Sequence, residues 1–326
     1  MSKQINVGVI GLGVGEQHMI GYLNSKYVKN VYIYDFDQKK TKSIKKKYQN
    51  ERVKVCLSEN EIINNSDIKA ISIASYDQFH FKQIIKSIKK RKHIFCEKPI
   101  CLNSYQLEKI KNLLKKKKII MTTNTILRLS PRFIELKEKI KKNYFGKIFY
   151  IEMDYNYGRL SKITDGWRGQ IKNFPVILSG GIHMIDLLQW FTEDLPIKIK
   201  SFSNSICTKD SKVNVKDFNV SILKFKSDLV AKISSNFGCI YPHYHRVMIY
   251  GTKGTFEQSF KNELIIKKRK DSFSSVTIKS KYPAVKKYEL IDNFIKAILF
   301  GKKLIINEDQ MINAMKICLR MVKKQI

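Results

Sequence analysis

The stretch Ile5-Asn6-Val7-Gly8-Val9-Ile10-Gly11-Leu12-Gly13-Val14-Gly15 decides the reading of this chain. Its first six residues form the near-continuous apolar run of a short strand buried on both faces, and a helical stretch, Glu16 to Leu23, follows. An apolar strand, a glycine turn and a helix start are what a dinucleotide pyrophosphate needs. Gly11 allows the tight turn, Gly13 lets backbone N–H groups approach the phosphates, and the helix N-terminus supplies partial positive charge. The third glycine of G-x-G-x-x-G falls on Glu16, with Gly15 one place early. A glycine pair after a strand also suits an ordinary loop, so a second feature is needed. The next strand, Val31-Tyr32-Ile33-Tyr34, ends at Asp35, 24 residues after Gly11. An acid roughly 20 residues along is where the adenosine ribose hydroxyls are held. Asp35 has no Arg directly after it, which favours NAD over NADP, because a 2′-phosphate would meet a carboxylate.

Outward from this motif, the chain alternates strand and helix through residue 123. Strands are expected near 5–11, 31–35, 53–56, 70–74, 93–96 and 119–123, and Leu107, Ile110, Leu113 and Leu114 give one helix an apolar side. That alternation predicts a doubly wound parallel sheet over 1–123. From 124 to 326 the pattern changes to an α+β domain. A helix near 131–142 leads to a strand from Lys147 to Tyr157, an irregular stretch, and a helix starting at Gly180-Gly181. A strand-rich region from Ile197 to about Ile278 and two closing helices follow. In Phe218-Asn219-Val220-Ser221-Ile222-Leu223-Lys224-Phe225 both alternating sets carry apolar residues. Such a sheet, open and mostly antiparallel, needs two covers: helices on one side and a partner subunit on the other.

With 326 residues there is enough chain for two cores, and 43% hydrophobic content is ordinary for a globular protein. No stretch has the ~20 apolar residues of a spanning helix, and no signal peptide is evident. Six scattered cysteines without metal-ligand spacing read as reduced thiols in a cytoplasmic protein that binds no metal through them. The net charge of +34 raises the question of nucleic acid. The lysines are spread over the whole chain, and the runs at 45–47, 89–92 and 115–118 sit where helices are expected to end, where cations complement the helix dipole. The expected partner is therefore a small anionic or neutral metabolite, with no nucleic acid and no membrane.

Strand five ends in Cys96-Glu97-Lys98-Pro99, which the carboxyl-end rule for parallel sheets brings to the nicotinamide end of a cleft. Together, Gly11-x-Gly13, Asp35, Glu97-Lys98-Pro99 and Gly181-Ile182-His183-Met184-Ile185-Asp186 resemble the glucose–fructose oxidoreductase / inositol dehydrogenase / MocA (Gfo/Idh/MocA) family. The segment Ala70 to His80 is similar to that family's fourth-strand segment, with Tyr76 where a proline is usual, and Ile249 to Thr255 is similar to a late motif. The resemblance spans essentially the whole chain. It implies a nicotinamide-dependent dehydrogenase of a sugar, cyclitol or sugar nucleotide, with a Rossmann domain and a second domain whose sheet makes a homodimer or homotetramer. It implies Lys98 and His183 as catalytic residues, and Gly11, Gly13, Val14, Gly15, Asp35, Ser75, His80, Glu97 and Lys98 around NAD.

The chemistry agrees. Oxidising a carbinol requires a base for the hydroxyl proton, which a histidine can supply near neutral pH, and a cation beside the oxygen, which Lys98 can supply. Asp186 shares a helix face with His183 and could orient the imidazole or hold a substrate hydroxyl. Many family members carry an Asp four residues before the histidine; here that place is Ser179. The expected substrate wall is Asn124, Arg128, Tyr157, Arg159, Trp167, Arg168 and Asp186, because guanidinium forks bind phosphate and aromatics stack on sugars. His243 and His245 share a strand face and are expected to pack rather than bind metal. A non-catalytic dinucleotide sensor would keep Gly11, Gly13 and Asp35 without needing Lys98 and His183 together.

Overall fold

In the computed structural model, which describes residues 4–171, 174–213, 215–269 and 272–323, the opening apolar run becomes the strand β1 (Ile5–Ile10), central in a six-stranded parallel sheet. The elements that follow are α1 (Gly15–Leu23), β2 (Val28–Tyr34), α2 (Gln38–Tyr48), β3 (Val53–Val55), α3 (Glu59–Asn64) and β4 (Ile68–Ile73). Next come α4 (Asp77–Lys89), β5 (His93–Cys96), α5 (Ser104–Lys116) and β6 (Met121–Thr123). The strand order is β3-β2-β1-β4-β5-β6, with every neighbour parallel. Val7, Val9, Ile71 and Ile73 are fully buried, as a sheet covered on both faces requires. The order reverses at β1/β4, which brings the carboxyl ends of the strands to the crevice where Rossmann sheets bind ligands.

Local chemistry sets the helices. Asp37 caps α2 by accepting from the Lys39 and Lys40 N–H groups, and Asn103 caps α5 through Gln106 N–H. Lys45, Lys46 and Lys47 occupy the last turn of α2, and Lys115 and Lys116 that of α5, as the dipole favours. Lys92 departs from the pattern expected of its run. It is buried beyond the end of α4, and its ammonium donates to the carbonyls of Asn65 and Ile68.

Two compact units result. The first comprises the residues up to Ile126 together with Val285–Ile312, a return crossing that no change of composition signals. Within that return, α9 (Glu289–Phe300) packs Phe294 against Phe95 of β5, with ring centroids 5.7 Å apart, and Thr122 Oγ1 donates to Ile306 O at 2.7 Å.

The second unit spans Leu127–Ala284 and the chain from Asn313. It holds α6 (Pro131–Lys141), β7 (Ile148–Asn156), the short α7 (Ser161–Thr164) and α8 (Ile182–Thr192). Its strands continue with β8 (Pro196–Asn204), β9 (Phe218–Phe225), β10 (Val230–Asn236) and β11 (Tyr244–Gly251). They end with β12 (Gly254–Gln258), β13 (Glu263–Arg269) and β14 (Ser272–Thr277); α10 (Glu308–Lys323) closes the described chain. The eight strands order as β14-β13-β12-β11-β7-β10-β9-β8, all antiparallel except β7 with β10. On β9 the alternation resolves clearly: Asn219, Ser221, Leu223 and Phe225 are buried, while Ile222 on the other face stays 43% exposed beside Phe202 at 50%. At the centre of that open face, Lys232 and Arg246 bridge Glu152 and Asp154. Among the described residues, no helix is long and apolar enough to cross a membrane.

Candidate active site

The glycine turn is fixed by space. Gly11 has φ +86°, and a Cβ there would lie 2.5 Å from Ser75 N, so only glycine fits. Gly15 does the work expected of the third fingerprint glycine. A Cβ on it would press Val9 at 3.0 Å and Ala74 at 3.2 Å, so its bare backbone lets α1 close on the sheet. The fingerprint is therefore shifted by one residue, and Glu16 is left free to reach α2, where it accepts from Lys47 Nζ and Tyr48 Oη at 2.7 Å each. Gly13 faces open space: among the described residues, Lys40 Nζ, at 3.9 Å, is the one atom within reach of an added Cβ. That opening, the α1 N-terminus after Val14 and a nearby ammonium suit a pyrophosphate. Asp35 completes the cradle: its Oδ2 accepts from Leu12 N at 2.6 Å and lies 3.6 Å from Lys40 Nζ. The acid and the glycine turn are one construction, and the residues present fit a dinucleotide.

At the end of β5, Glu97 is buried and collects partners from two other elements. Its Oε1 lies 3.1 Å from Nε2 of His18 on α1 and accepts from Asn124 Nδ2, just after β6, at 2.7 Å. His18 is 0% exposed and Asn124 3%. Burial raises the Glu97 carboxyl, but the hydrogen bond and interaction with His18, the charge of Lys98 and the Asn124 hydrogen bond outweigh it, leaving it at about 2. Asn124, expected in the substrate wall, is buried, and its amide also donates to Lys287 O at 3.0 Å within the first unit. His80, expected beside the cofactor, is fully buried. Its ring is enclosed, with Nδ1 2.7 Å from Pro99 O and Nε2 3.0 Å from Ser75 O, so it ties together the ends of β4 and β5. The Ser75 hydroxyl donates to Gln83 Oε1 at 2.6 Å. Lys98 follows Glu97 directly and is half-buried.

In the second unit, a wide turn of i→i+5 bonding, Ile177–Gly181, runs into α8 and carries Ser179. Such turns inside helices recur at functional sites. A Cβ on Gly180 would strike the Tyr155 ring at 2.3 Å, so the glycine admits that ring against the turn. Tyr155 then stacks on His183, centroids 6.2 Å apart and planes within 17°. Tyr157 stacks on Tyr155 in turn, and His243 and His245 meet Tyr155 at 5.2 Å each. His245 also hydrogen-bonds Tyr282 Oη, so both histidines enter an aromatic packing cluster. Among the described residues, no group of three or more potential ligands could hold a metal ion.

Arg128 and Asp186, both expected in the substrate wall, pair with each other. Their side chains are 1% and 2% exposed, and Arg128 Nε and Nη2 donate to the two carboxylate oxygens at 2.9 and 2.7 Å. In this bidentate pair the Asp186 carboxylate meets a buried guanidinium. Tyr157, Arg159, Trp167 and Arg168 remain beside the His183 cluster or on the loop after β7. Arg159 lies 5.4 Å above the Tyr157 ring and Arg168 4.3 Å above Trp167. His18 and Tyr155 escaped the sequence reading. His18 had no motif, and Tyr155 was legible only as the residue sharing a strand face with Tyr157.

Comparison with known proteins agrees with this construction. Residues 5–125 match the family model described as the oxidoreductase family with an NAD-binding Rossmann fold, and residues 133–257 match the GFO/IDH/MocA C-terminal domain. Myo-inositol 2-dehydrogenase of Thermotoga maritima is 25% identical over 261 residues, covering 77% of this chain and 74% of that protein. The crystal structure of myo-inositol 2-dehydrogenase from Lactobacillus plantarum superposes with a TM-score of 0.84 at 19% identity, covering 99% of this chain and 97% of that one. UDP-N-acetylglucosamine 3-dehydrogenase from Acidithiobacillus ferrooxidans gives 0.77 at 16% identity, over 99% and 98%.

Two outcomes are expected of the buried charges. Because the Glu97 carboxyl is depressed from 4.5 to about 2, its contribution is fully present above about pH 4.5 and is lost as pH falls toward 2. At about 1.4 kcal/mol per pH unit, Glu97→Gln should remove about 3 kcal/mol of pH-dependent stability in that window. Denaturant unfolding at a series of acidic pH values checks this, and parallel pH curves for the two proteins would contradict it. Asp186→Ala takes the carboxylate from a buried guanidinium and should cost about 3–5 kcal/mol in the same assay, against well under 1 kcal/mol for a surface pair.

Proposed function

The chain belongs to the Gfo/Idh/MocA oxidoreductases, and from that premise we propose that it transfers hydride from a secondary hydroxyl of a sugar, cyclitol or sugar nucleotide to NAD, with Lys98 and His183 as catalytic residues. The observation that carries the reading is the joined cradle of Gly11, Gly13 and Asp35 in the same unit as a strand-end lysine, Lys98, anchored by the buried Glu97. NAD, when bound, supplies the acceptor for the hydride that leaves the carbinol carbon. As that hydride departs, the O–H bond breaks, the proton passes to His183, and the carbon–oxygen bond becomes a carbonyl. An imidazole suits this step because it titrates near neutral pH. The Lys98 ammonium donates to the same oxygen and offsets the negative charge that develops there. Stacking on Tyr155 holds the His183 ring plane fixed while the proton moves.

Asp35, already bonded to Leu12 N, would accept from the ribose hydroxyls, which favours NAD over NADP. The half-exposed Phe202 and Ile222 on the open sheet support a homodimer or homotetramer through that face. A carbohydrate or surface-polysaccharide precursor role and a cytoplasmic setting fit the same reading.

NADH absorbance with a panel of inositols, free sugars and UDP-sugars tests the activity. Silence across the panel with NAD demonstrably bound would favour a dinucleotide sensor. Lys98→Met should lower kcat by a factor on the order of 10³ with NAD affinity nearly unchanged; near-normal turnover would remove Lys98 from the mechanism. Asp35→Ser should weaken NAD and narrow its advantage over NADP, and an unchanged ratio of kcat/KM values would separate Asp35 from cofactor choice.

A further inference from the structure

Among the described residues of the second unit, the buried and bridging arginines each meet a carboxylate, and Arg320 donates to the carbonyls of Pro196 and Ile197. Arg128 meets Asp186, Arg132 meets Glu263, and Arg246 meets Glu152 and Asp154. Among the described residues, neither Arg159 nor Arg168 has an ion pair or a side-chain hydrogen bond. For Arg159, which is exposed, water is a sufficient partner. Arg168 is different. Its Nε is shut off from solvent and has no hydrogen-bond partner, while its guanidinium plane is backed by Trp167 at 4.3 Å. A shielded N–H with no acceptor is unfavourable.

The Arg159 guanidinium reaches the aromatic layers around His183 directly, and the Arg168 charge acts on one of their rings. Arg159 caps Tyr157, Tyr157 stacks on Tyr155, and Tyr155 stacks on His183. Burial raises the Tyr155 phenol, and the charges of Arg168 and Arg159 act on it in the opposite sense. The loop that carries them is built rather than slack. Gly158 has φ +58°, and a Cβ on it would lie 1.9 Å from Tyr241 O, so the direction in which Arg159 leaves β7 is set by backbone contact.

We propose that the substrate is an anion: a sugar or cyclitol derivative carrying a carboxylate or a phosphate, which the Arg168 fork and the Arg159 charge hold beside His183. Planar forks bind both groups by paired hydrogen bonds, whereas neutral hydroxyls leave the charge unanswered. The chain's net charge of +34 favours the approach of such a molecule. The anionic group takes no part in the bond changes, which remain those of carbinol oxidation. This inference rests on the dehydrogenase reading with His183 at the reacting hydroxyl.

Calorimetric titration of the NAD-loaded protein with glucuronate, glucose 1-phosphate, UDP-glucose and glucose tests it, with NADH formation followed on the same four compounds. At least one anion is expected to bind tenfold or more tightly than glucose. Glucuronate against glucose 1-phosphate identifies which anion is preferred. In Arg168→Gln that advantage should fall at least tenfold while NAD affinity, the check on folding, is unchanged. Arg168→Lys, which keeps the charge and loses the fork, should restore only part of it. Glucose binding as tightly as every anion, no binding by any of the four, or an advantage that survives in Arg168→Gln would overturn the inference. Tight anion binding without NADH would leave the anion site standing and remove the dehydrogenase reading. NADH from glucose alone would do the reverse.

Discussion

One buried carboxylate ties the carboxyl edge of the first unit together. Glu97 receives His18 from α1 and Asn124 from the end of β6, and it is the residue immediately before Lys98. A carboxylate taken out of water is costly unless its lone pairs are met, and here two elements distant in sequence meet them. The same α1 carries the glycine turn at its start, and that turn is bonded to Asp35. The glycine turn with Asp35 and the strand end that carries Lys98 are therefore both tied to α1, which removes freedom that binding would otherwise have to remove.

The second unit solves its own positioning problem by packing. The wide turn Ile177–Gly181 and the bare Gly180 let Tyr155 press against the start of α8, and the parallel stacking of Tyr155 on His183 follows. The buried Arg128–Asp186 pair joins the segment before α6 to α8 with bidentate geometry. Neither device is chemistry in itself; each fixes the element that carries the histidine. On the other face of the sheet, charged residues bridge at the centre while apolar ones remain open nearby, a composition unlike a fully solvated surface.

Much of this was legible in the residues because it depends on short-range chemistry. The strand, Gly11 and Asp35 follow from spacing, and the alternation to residue 123 predicted the six parallel strands. The second unit's open sheet followed from the two apolar sets of β9, although the sequence could not tell which set was covered. The lysine runs 45–47 and 115–118 finish helices as expected, but Lys92 instead turns inward to cap carbonyls. What escaped was decided by tertiary pairing. Asn124, His80, Arg128 and Asp186 have the residue types of a binding site, yet each has a buried partner far away in sequence. Gly15 shows the same limit at close range: a one-residue shift in the fingerprint is visible as letters, but only its contact with Val9 and Ala74 reveals which glycine the packing needs.

The central claim is that hydride leaves a carbinol carbon for the nicotinamide. The most direct measurement is mass spectrometry of the cofactor after incubating protein and NAD with carbon-deuterated inositols, sugars and sugar nucleotides. The account predicts that a single deuterium appears in the reduced cofactor, together with a carbonyl product from the same substrate. Reduced cofactor without deuterium, or bound NAD with no reduction from any deuterated compound, would contradict it.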